Sequence, residues 1–194
     1  MQEIIEIRRK EFVVLEKMGE RSFKVERKGK TYFLKKFEND VDGFELFEKN
    51  QLILKNSGIK IPKVYMWDKK TMTTVVEFIE GPTAFDILVK EDLDEKYIDK
   101  VFKDLWYSRT ARIYLDFDPR NFFISGNELI YWPFRYSKYD SKNEFLDRDY
   151  KLWIFTKEFA SFANSLGVEV DKSRIKNDYE VNKIMTLLGV KYYR

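Results

Sequence analysis

The first forty residues constrain the fold most, because they contain three short runs with β-strand patterning in close succession. The runs are 12–15, 23–27 and 31–37, and each is rich in β-branched and aromatic residues that alternate with polar ones. Gly19-Glu20-Arg21 and Lys28-Gly29-Lys30 separate the runs, and glycine permits the tight turns that join neighbouring strands. The pattern predicts three consecutive antiparallel strands.

A helix and two more strands follow. Apolar residues recur at roughly helical spacing from Asp42 to Lys55, and Gly58 lies where such a helix would end. The segments 63–68 and 73–79 again have strand patterning, and a lysine-rich turn joins them. The first part of the chain therefore predicts a five-stranded antiparallel sheet, with one helix between its third and fourth strands.

The remainder of the chain favours helices. Glu80-Gly81-Pro82-Thr83 interrupts the strand pattern, so we expect a first domain at 1–80 and a second at 81–194. The expected fold class is α+β. The elements predicted for the second domain are helices at 84–88, 97–107, 146–166 and 178–188, and a hairpin of 122–124 with 129–132 about Ser125-Gly126-Asn127.

Composition excludes several kinds of chemistry. The chain has neither cysteine nor histidine, which rules out disulfides, serine-histidine and cysteine-histidine catalysis, and thiolate or imidazole metal sites. Any chemistry must depend on carboxylates, lysine, hydroxyls and a hard cation held by oxygen. The net charge of +3 is nearly balanced, so no nucleic acid partner is expected. Apolar runs are too short to cross a bilayer and the start does not resemble a signal peptide, so we expect no membrane insertion and a cytoplasmic location.

The most informative local motif is the stretch from Ile113 to Ile124. Asp116 precedes Asn121 by five residues, and an apolar strand pattern follows. The motif resembles the catalytic loop of the protein-kinase-like superfamily, although Asp118-Pro119-Arg120-Asn121 also fits an ordinary turn. The resemblance implies that Asp116 accepts the proton of the attacking hydroxyl, and that Asn121 binds magnesium on the nucleotide phosphates.

The order of the predicted elements extends this resemblance from Phe12 to about Leu166. It is similar to the small, atypical members: RIO-type kinases, lipopolysaccharide-core sugar kinases and aminoglycoside phosphotransferases. Gly58-Ile59-Lys60-Ile61-Pro62 resembles their entry to the fourth strand, and Glu77-Phe78-Ile79-Glu80-Gly81 resembles their hinge. The resemblance implies a two-lobe fold, with a sheet and one helix in the N-lobe and a short, mainly helical C-lobe. ATP would bind between the lobes with Mg²⁺.

The resemblance also carries over to residues of the predicted sheet and its helix. Tyr32-Phe33-Leu34-Lys35 is similar to the segment whose lysine holds the α- and β-phosphates, which makes Lys35 the candidate and Lys36 its reserve on the opposite face. Glu48 would be the helix carboxylate that pairs with this lysine, with Glu45 as the alternative. Each of these charges is equally consistent with a solvated surface position.

Further positions follow from the same comparison. Gly19 would lie in a phosphate loop that has one glycine where the kinase pattern has three, and Glu77 and Ile79 would lie in the nucleotide-binding hinge. Tyr114 stands where these proteins usually have histidine. Asp149 is similar to an aspartate that braces the catalytic loop, or is a simple helix cap.

The largest departure from the kinase pattern is at Pro133. The segment 129–134 corresponds to the strand that ends in the metal-binding Asp-Phe-Gly, and here Pro133 replaces that aspartate and Arg135 replaces the glycine. Proline has no carboxylate with which to bind magnesium. Asp118 is the candidate substitute ligand, and Asp140 is a second possibility.

These observations support two functional hypotheses. The first is an atypical ATP-dependent phosphotransferase whose acceptor is a small molecule or a protein hydroxyl. The alternative is a pseudokinase scaffold that binds a partner or a nucleotide without transferring phosphate. A small α+β protein with an accidental likeness to kinases is a third reading. Aromatic residues crowd 131–139 and the end of the chain, which fits either core packing or an interface such as that of a homodimer.

Overall fold

The computed structural model describes the backbone of residues 3–140 and 149–192, and the side chains of these ranges as far as Leu187. The fold is α+β, as the sequence predicts. The chain divides into two compact units. Unit 1 comprises the residues up to Ile53 together with Ile61–Glu80, and unit 2 comprises Leu54–Lys60 and the residues from Gly81 onward.

Unit 1 is built on one antiparallel sheet of six strands, in the order β1-β2-β3-β4-β6-β5. The consecutive strands β1 to β4 form a meander, and β6 lies between β4 and β5. The helix α1 follows β4, so the predicted position of the helix between two groups of strands is confirmed. The bounds are β1 Ile4–Ile7, β2 Lys10–Gly19, β3 Ser22–Arg27, β4 Lys30–Lys36, α1 Val41–Asn56, β5 Val64–Asp68 and β6 Thr73–Glu77.

The predicted count of five strands is wrong, because β1 adds a sixth at the edge of the sheet. β1 pairs with β2 through a two-residue turn at Arg8 and Arg9, both of which have positive φ angles of 49° and 59°. Asparagine and glycine are the usual residues in such a turn, so two arginines give no turn signal. Arg8 is held instead by distant residues: its Nε donates to Asp68 at 2.9 Å and its guanidinium to the carbonyl of Trp67 at 2.6 Å.

One face of the sheet carries a hydrophobic core. Alternate residues of neighbouring strands point to this face, and the burial pattern of β3 shows the alternation directly, with Phe23 and Val25 buried between partly exposed neighbours. Lys36 is on this side too, with Nζ 5.3 Å from the centroid of the Phe23 ring. The buried members of the cluster are Ile5, Ile7, Phe12, Phe23, Val25, Leu34, Met66 and Val75.

Unit 2 combines helices with two short antiparallel ladders of two strands each. β8 pairs with β9 about Gly126 and Asn127, which confirms the predicted hairpin. β7 pairs with β10 through only two residue pairs. The described elements are α2 Ala84–Lys90, α3 Glu95–Thr110, β7 Ile113–Tyr114, β8 Phe122–Ser125, β9 Glu128–Tyr131, β10 Ser137–Lys138, α4 Lys157–Ser165 and α5 Asp178–Tyr192.

The predicted helix at 146–166 differs from the structure. Residues 146–148 lie outside the described part of the chain, Asp149–Leu152 form a 3₁₀ turn, and α4 begins only at Lys157. Thr156 caps α4, since its side chain accepts a hydrogen bond from the backbone N–H of Phe159. The helix α4 is therefore short, and Thr156 marks its N-terminus as the capping residue.

Of the helices that the structure describes, none is both long enough and apolar enough to span a bilayer.

Candidate functional site

The loop from Tyr114 to Asn121 is held in place by buried aromatic side chains of unit 2. Phe117 is 1% exposed and stacks on Phe122 with ring centroids 5.9 Å apart. Trp153, equally buried, packs against Phe122 and donates its indole N–H to the carbonyl of Phe117 at 2.7 Å. A backbone carbonyl in the middle of the loop is thus fixed from the core.

Asp116 and Asn121 meet at the open side of this loop. The side chain of Asp116 is half-exposed, so its carboxylate is accessible to a reactant. The Asn121 side chain donates from Nδ2 to the backbone carbonyl of Asp116 at 3.2 Å. Because the amide nitrogen is used in this bond, the orientation of the Asn121 side chain is set and its Oδ1 remains as an acceptor.

Asp118 has a structural role in the same loop. Its carboxylate caps the 3₁₀ turn Pro119–Asn121 by accepting the backbone N–H of Arg120 at 2.9 Å. It also accepts the Arg120 Nε at 2.9 Å, and this hydrogen bond raises the pKa of Arg120. The Arg120 guanidinium in turn lies 5.1 Å from the centroid of the Phe162 ring. A cation at Asp118 would have to displace an arginine that contacts both a carboxylate and an aromatic face.

Tyr131 joins the loop to the segment that follows β9. Its side chain is fully buried, and this burial raises the pKa of the phenol, so the hydroxyl stays neutral. The hydroxyl donates to the backbone carbonyl of Arg135 at 2.8 Å and accepts the backbone N–H of Asp116 at 3.3 Å. One buried side chain therefore fixes the backbone of Asp116 relative to that of Arg135.

The Arg135 side chain contacts the loop that carries Asp116. Its Nη2 lies 3.5 Å from Asp116 Oδ2, and both side chains are at least half exposed. The preceding residue, Phe134, is buried and has a φ of 49°, which is uncommon for a bulky side chain. After Arg135, Ser137 pairs with Tyr114 in the β10–β7 ladder. The backbone that carries Arg135 is thus anchored on both sides.

A pocket of about 440 Å³ opens beside these residues within unit 2. Tyr114 lies on its wall and donates its hydroxyl to Asp149, at the start of the 3₁₀ turn before α4. The lining residues are Tyr114, Asp116, Asp118, Arg135, Tyr136, Ser137, Asp149 and Leu152. The base candidate therefore faces a space large enough for a small molecule or a peptide side chain.

The nucleotide-binding candidates of the hypothesis lie in unit 1. Lys35 pairs with Thr74, which in turn pairs with Trp67, and antiparallel partners share a face of the sheet. Trp67 stacks on Phe44 of α1 with ring centroids 4.2 Å apart, so Lys35 projects from the face that α1 covers. Lys36 projects from the opposite face, as the strand alternation predicts. The Lys35 Nζ is 4.9 Å from the centroid of the Phe37 ring.

Lys35 and Glu48 do not form an ion pair, although both belong to the described residues. Glu48 on α1 instead pairs with Lys69 at 3.4 Å, and the alternative Glu45 is exposed. Gly19 ends β2 at an irregularity in its pairing with β3. A Cβ added at Gly19 would come no closer than 3.7 Å to Ser22, so packing does not require glycine there.

The predicted hinge residues follow β6. Glu77 is the last residue of β6, and its carboxylate accepts the backbone N–H of Lys63 at 3.2 Å. Ile79 lies two residues beyond and is buried.

The residues of the loop from Tyr114 to Asn121 do not fit the magnesium that the kinase resemblance implies. Magnesium prefers octahedral oxygen coordination, with one or two carboxylates among its ligands. Pro133 offers none, Asp118 is bound to Arg120, and Asp116 contacts Arg135. Across the described residues, no group of three or more acidic side chains is arranged to hold a metal ion. Asp140, the other substitute considered, is exposed after β10.

Comparison with known proteins adds no family assignment. The chain matches no protein-family model, and no curated protein matches it.

Two residues of this site, Tyr131 and Arg135, have no functional signal in their local sequence. Tyr131 was considered only as part of an aromatic segment, and Arg135 only as a departure from the kinase pattern. Their role depends on contacts with Asp116 across 15 and 19 residues of sequence. The sequence of β9 is apolar after Glu128 and its last three residues are buried, which indicates a buried position for Tyr131, but no local pattern indicates what its hydroxyl contacts.

Proposed function

We propose that this chain is an atypical kinase-like phosphotransferase in which Asp116 is the general base. The observation that carries the proposal is the geometry of the loop: a half-exposed Asp116 carboxylate faces a 440 Å³ pocket, and Asn121 is hydrogen-bonded to the Asp116 carbonyl. A base must be accessible to the hydroxyl that it deprotonates while its backbone is fixed. Trp153 and Tyr131 provide that fixation.

In the proposed step, the acceptor hydroxyl in the pocket donates a hydrogen bond to the Asp116 carboxylate. Its oxygen forms a bond to the γ-phosphorus of ATP as the bond from that phosphorus to the bridging oxygen breaks. ADP leaves with the electron pair of the broken bond, and the hydroxyl proton passes to Asp116. The pocket accommodates either a small molecule or a side-chain hydroxyl, so the acceptor stays open between these classes.

Lys35 is the residue that we propose for the α- and β-phosphates. Lys35 projects from the face of the sheet that α1 covers. Its ammonium forms no ion pair with Glu48, because Glu48 pairs with Lys69. The contact with Phe37 leaves the charge available, because an aromatic face competes weakly with a phosphate for a cation.

A second function is favoured by one specific observation. Asp118 and Asp116 both contact arginines, and Pro133 replaces the metal-binding aspartate. A pseudokinase that binds nucleotide and transfers nothing would keep this arrangement, since its carboxylates need not be available for chemistry.

A single-turnover experiment distinguishes the two functions. The protein, in excess over ATP labelled on the γ-phosphate, is incubated with Mg²⁺ and separately with EDTA, and label on protein, on inorganic phosphate and on ATP is quantified. Water and the hydroxyls of the chain are acceptors in this assay, so no specific acceptor is needed. Transfer above the rate in buffer supports the phosphotransferase. Labelled ATP that binds to the protein but keeps all of its label supports the scaffold.

A further inference from the structure

Kinases obtain positive charge at the transferred phosphoryl group from metal ions that carboxylates hold. In this loop the carboxylates that could hold a metal ion are engaged by arginines or replaced. The transferred phosphoryl group carries charge on three oxygens, and catalysis of its transfer depends largely on positive charge placed beside them. Asp118 is occupied by Arg120, and residue 133 is proline. A cationic side chain of the protein is another means of supplying this charge.

Arg135 is placed to be that cation. Resting on the proposed function, we infer that Arg135 contacts the transferred phosphoryl group and takes the role of the metal ion whose aspartate is replaced by Pro133. An acceptor hydroxyl lies about 3 Å from the base that deprotonates it, and its oxygen is about 3 Å from the phosphorus at the start of transfer. The Arg135 guanidinium lies 3.5 Å from Asp116, and its side chain is long and exposed, so it can reach the oxygens of a phosphoryl group whose acceptor is bound against Asp116.

The position of Arg135 is built into the backbone. The buried Tyr131 hydroxyl holds the Arg135 carbonyl and the Asp116 N–H together, and the β10–β7 ladder begins two residues later at Ser137. Phe134 is buried with a positive φ immediately before it. Backbone strain of this kind persists only where the surrounding contacts enforce it.

The contact between Asp116 and Arg135 is weak enough for Arg135 to leave Asp116 and bind a phosphoryl group instead. Both side chains are at least half exposed and the N–O distance is 3.5 Å, so water screens the pair and the interaction is weak. A phosphoryl group accepts two parallel hydrogen bonds from a guanidinium and competes well for it. When Arg135 moves to the phosphoryl oxygens, the Asp116 carboxylate becomes available to accept the proton. Arg120 is unsuited to this exchange, because it binds Asp118 through two nitrogens and packs on Phe162.

The test measures ATP and AMP binding by calorimetry, in EDTA and in Mg²⁺, for the wild type and for Arg135→Met and Arg135→Lys. We expect the wild type to bind ATP in EDTA, and Arg135→Met to weaken that binding by roughly 10- to 100-fold, the usual effect of losing a charge-assisted hydrogen bond pair. Arg135→Lys should fall between the two, since lysine keeps the charge and loses the fork. AMP has no γ-phosphate, so its affinity should be unchanged.

Lys138→Met is the matched control, because it removes an equal charge from an exposed residue of the same segment. It should bind ATP like the wild type. ATP affinity of Arg135→Met within twofold of the wild type in EDTA would overturn the inference. So would a wild type that binds ATP only with Mg²⁺, although the proposed function would stand. Absence of ATP binding in every condition would instead remove the proposed function itself.

Discussion

Asp104 gives a quantitative prediction for the stability of the protein as a function of pH. The residue lies on α3 and is only 6% exposed. Burial raises the pKa of Asp104 from 3.8 to about 8, with Glu128 adding to the effect and Lys100 and Lys103 opposing it. The folded state therefore keeps the proton on Asp104 up to about pH 8, whereas the unfolded chain releases it near pH 4. Between these values folding takes up a proton, so the free energy of unfolding falls as the pH rises.

Asp104→Asn removes this dependence, because an amide does not ionise. The difference in free energy of unfolding, variant minus wild type, should therefore increase by about 1.4 kcal/mol for each pH unit within this window. Between about pH 4 and pH 7 this difference should grow by on the order of 4 kcal/mol. The measurement is guanidinium denaturation of both proteins at several pH values between about 5 and 8. Glu169→Gln, at an exposed site, is the control and should stay within about 0.5 kcal/mol of the wild type. A difference between Asp104→Asn and wild type that is constant across this range would refute the reasoning.

Two further substitutions test the packing of unit 2. Gly81→Ala should lower the free energy of unfolding by on the order of 3 kcal/mol in denaturation experiments, because φ is 151° and an added Cβ would lie 2.2 Å from the carbonyl oxygen of Ile124. Gly126→Ala is the control: the space around its Cβ position is open, so this substitution should lower the free energy of unfolding by only about 1 kcal/mol. Equal losses for the two variants would contradict the clash at Gly81. Trp153→Phe removes the hydrogen bond to the Phe117 carbonyl and should cost about 2 kcal/mol while slowing phosphate transfer in the single-turnover assay. Unchanged transfer in a folded Trp153→Phe protein would show that this bond does not position the loop.

Local patterns predicted the regular elements of unit 1 well. Strands β3 to β6 and α1 follow from alternation and helical spacing, and the predicted antiparallel pairing of the consecutive strands β3 and β4 is confirmed. β1 was missed because it has only four residues, and because its turn at Arg8 and Arg9 is stabilised by Asp68, a residue sixty positions away. A turn that depends on a distant partner leaves no signature in its own sequence.

The candidate site could be predicted only in part, for the same physical reason. The spacing of Asp116 and Asn121 places both in one loop, and the structure joins them by a hydrogen bond. The use of Asp118 as a cap was consistent with the alternative reading of that segment as an ordinary turn. The contact between Arg135 and Asp116 depends on the hydrogen bonds of the Tyr131 hydroxyl and on a two-residue ladder, and no local sequence pattern predicts either of these contacts.

The Glu48 prediction shows the limit of reasoning from helix position. The sequence places Glu48 on α1, and the structure confirms the helix, but the carboxylate pairs with Lys69 in the turn between β5 and β6. In a chain with 36 lysine and arginine residues, several cations compete for each carboxylate, and spacing does not determine which one pairs with it.

The most direct test of the proposed role of Asp116 is the single-turnover rate of phosphate transfer by Asp116→Asn relative to the wild type. Asparagine keeps the shape of the side chain and cannot accept the proton, so the rate should fall by at least about 100-fold. Asp178→Asn, an exposed substitution at the start of α5, should transfer at the wild-type rate. Transfer by a folded Asp116→Asn protein within a few-fold of the wild type would contradict the assignment of Asp116 as the base.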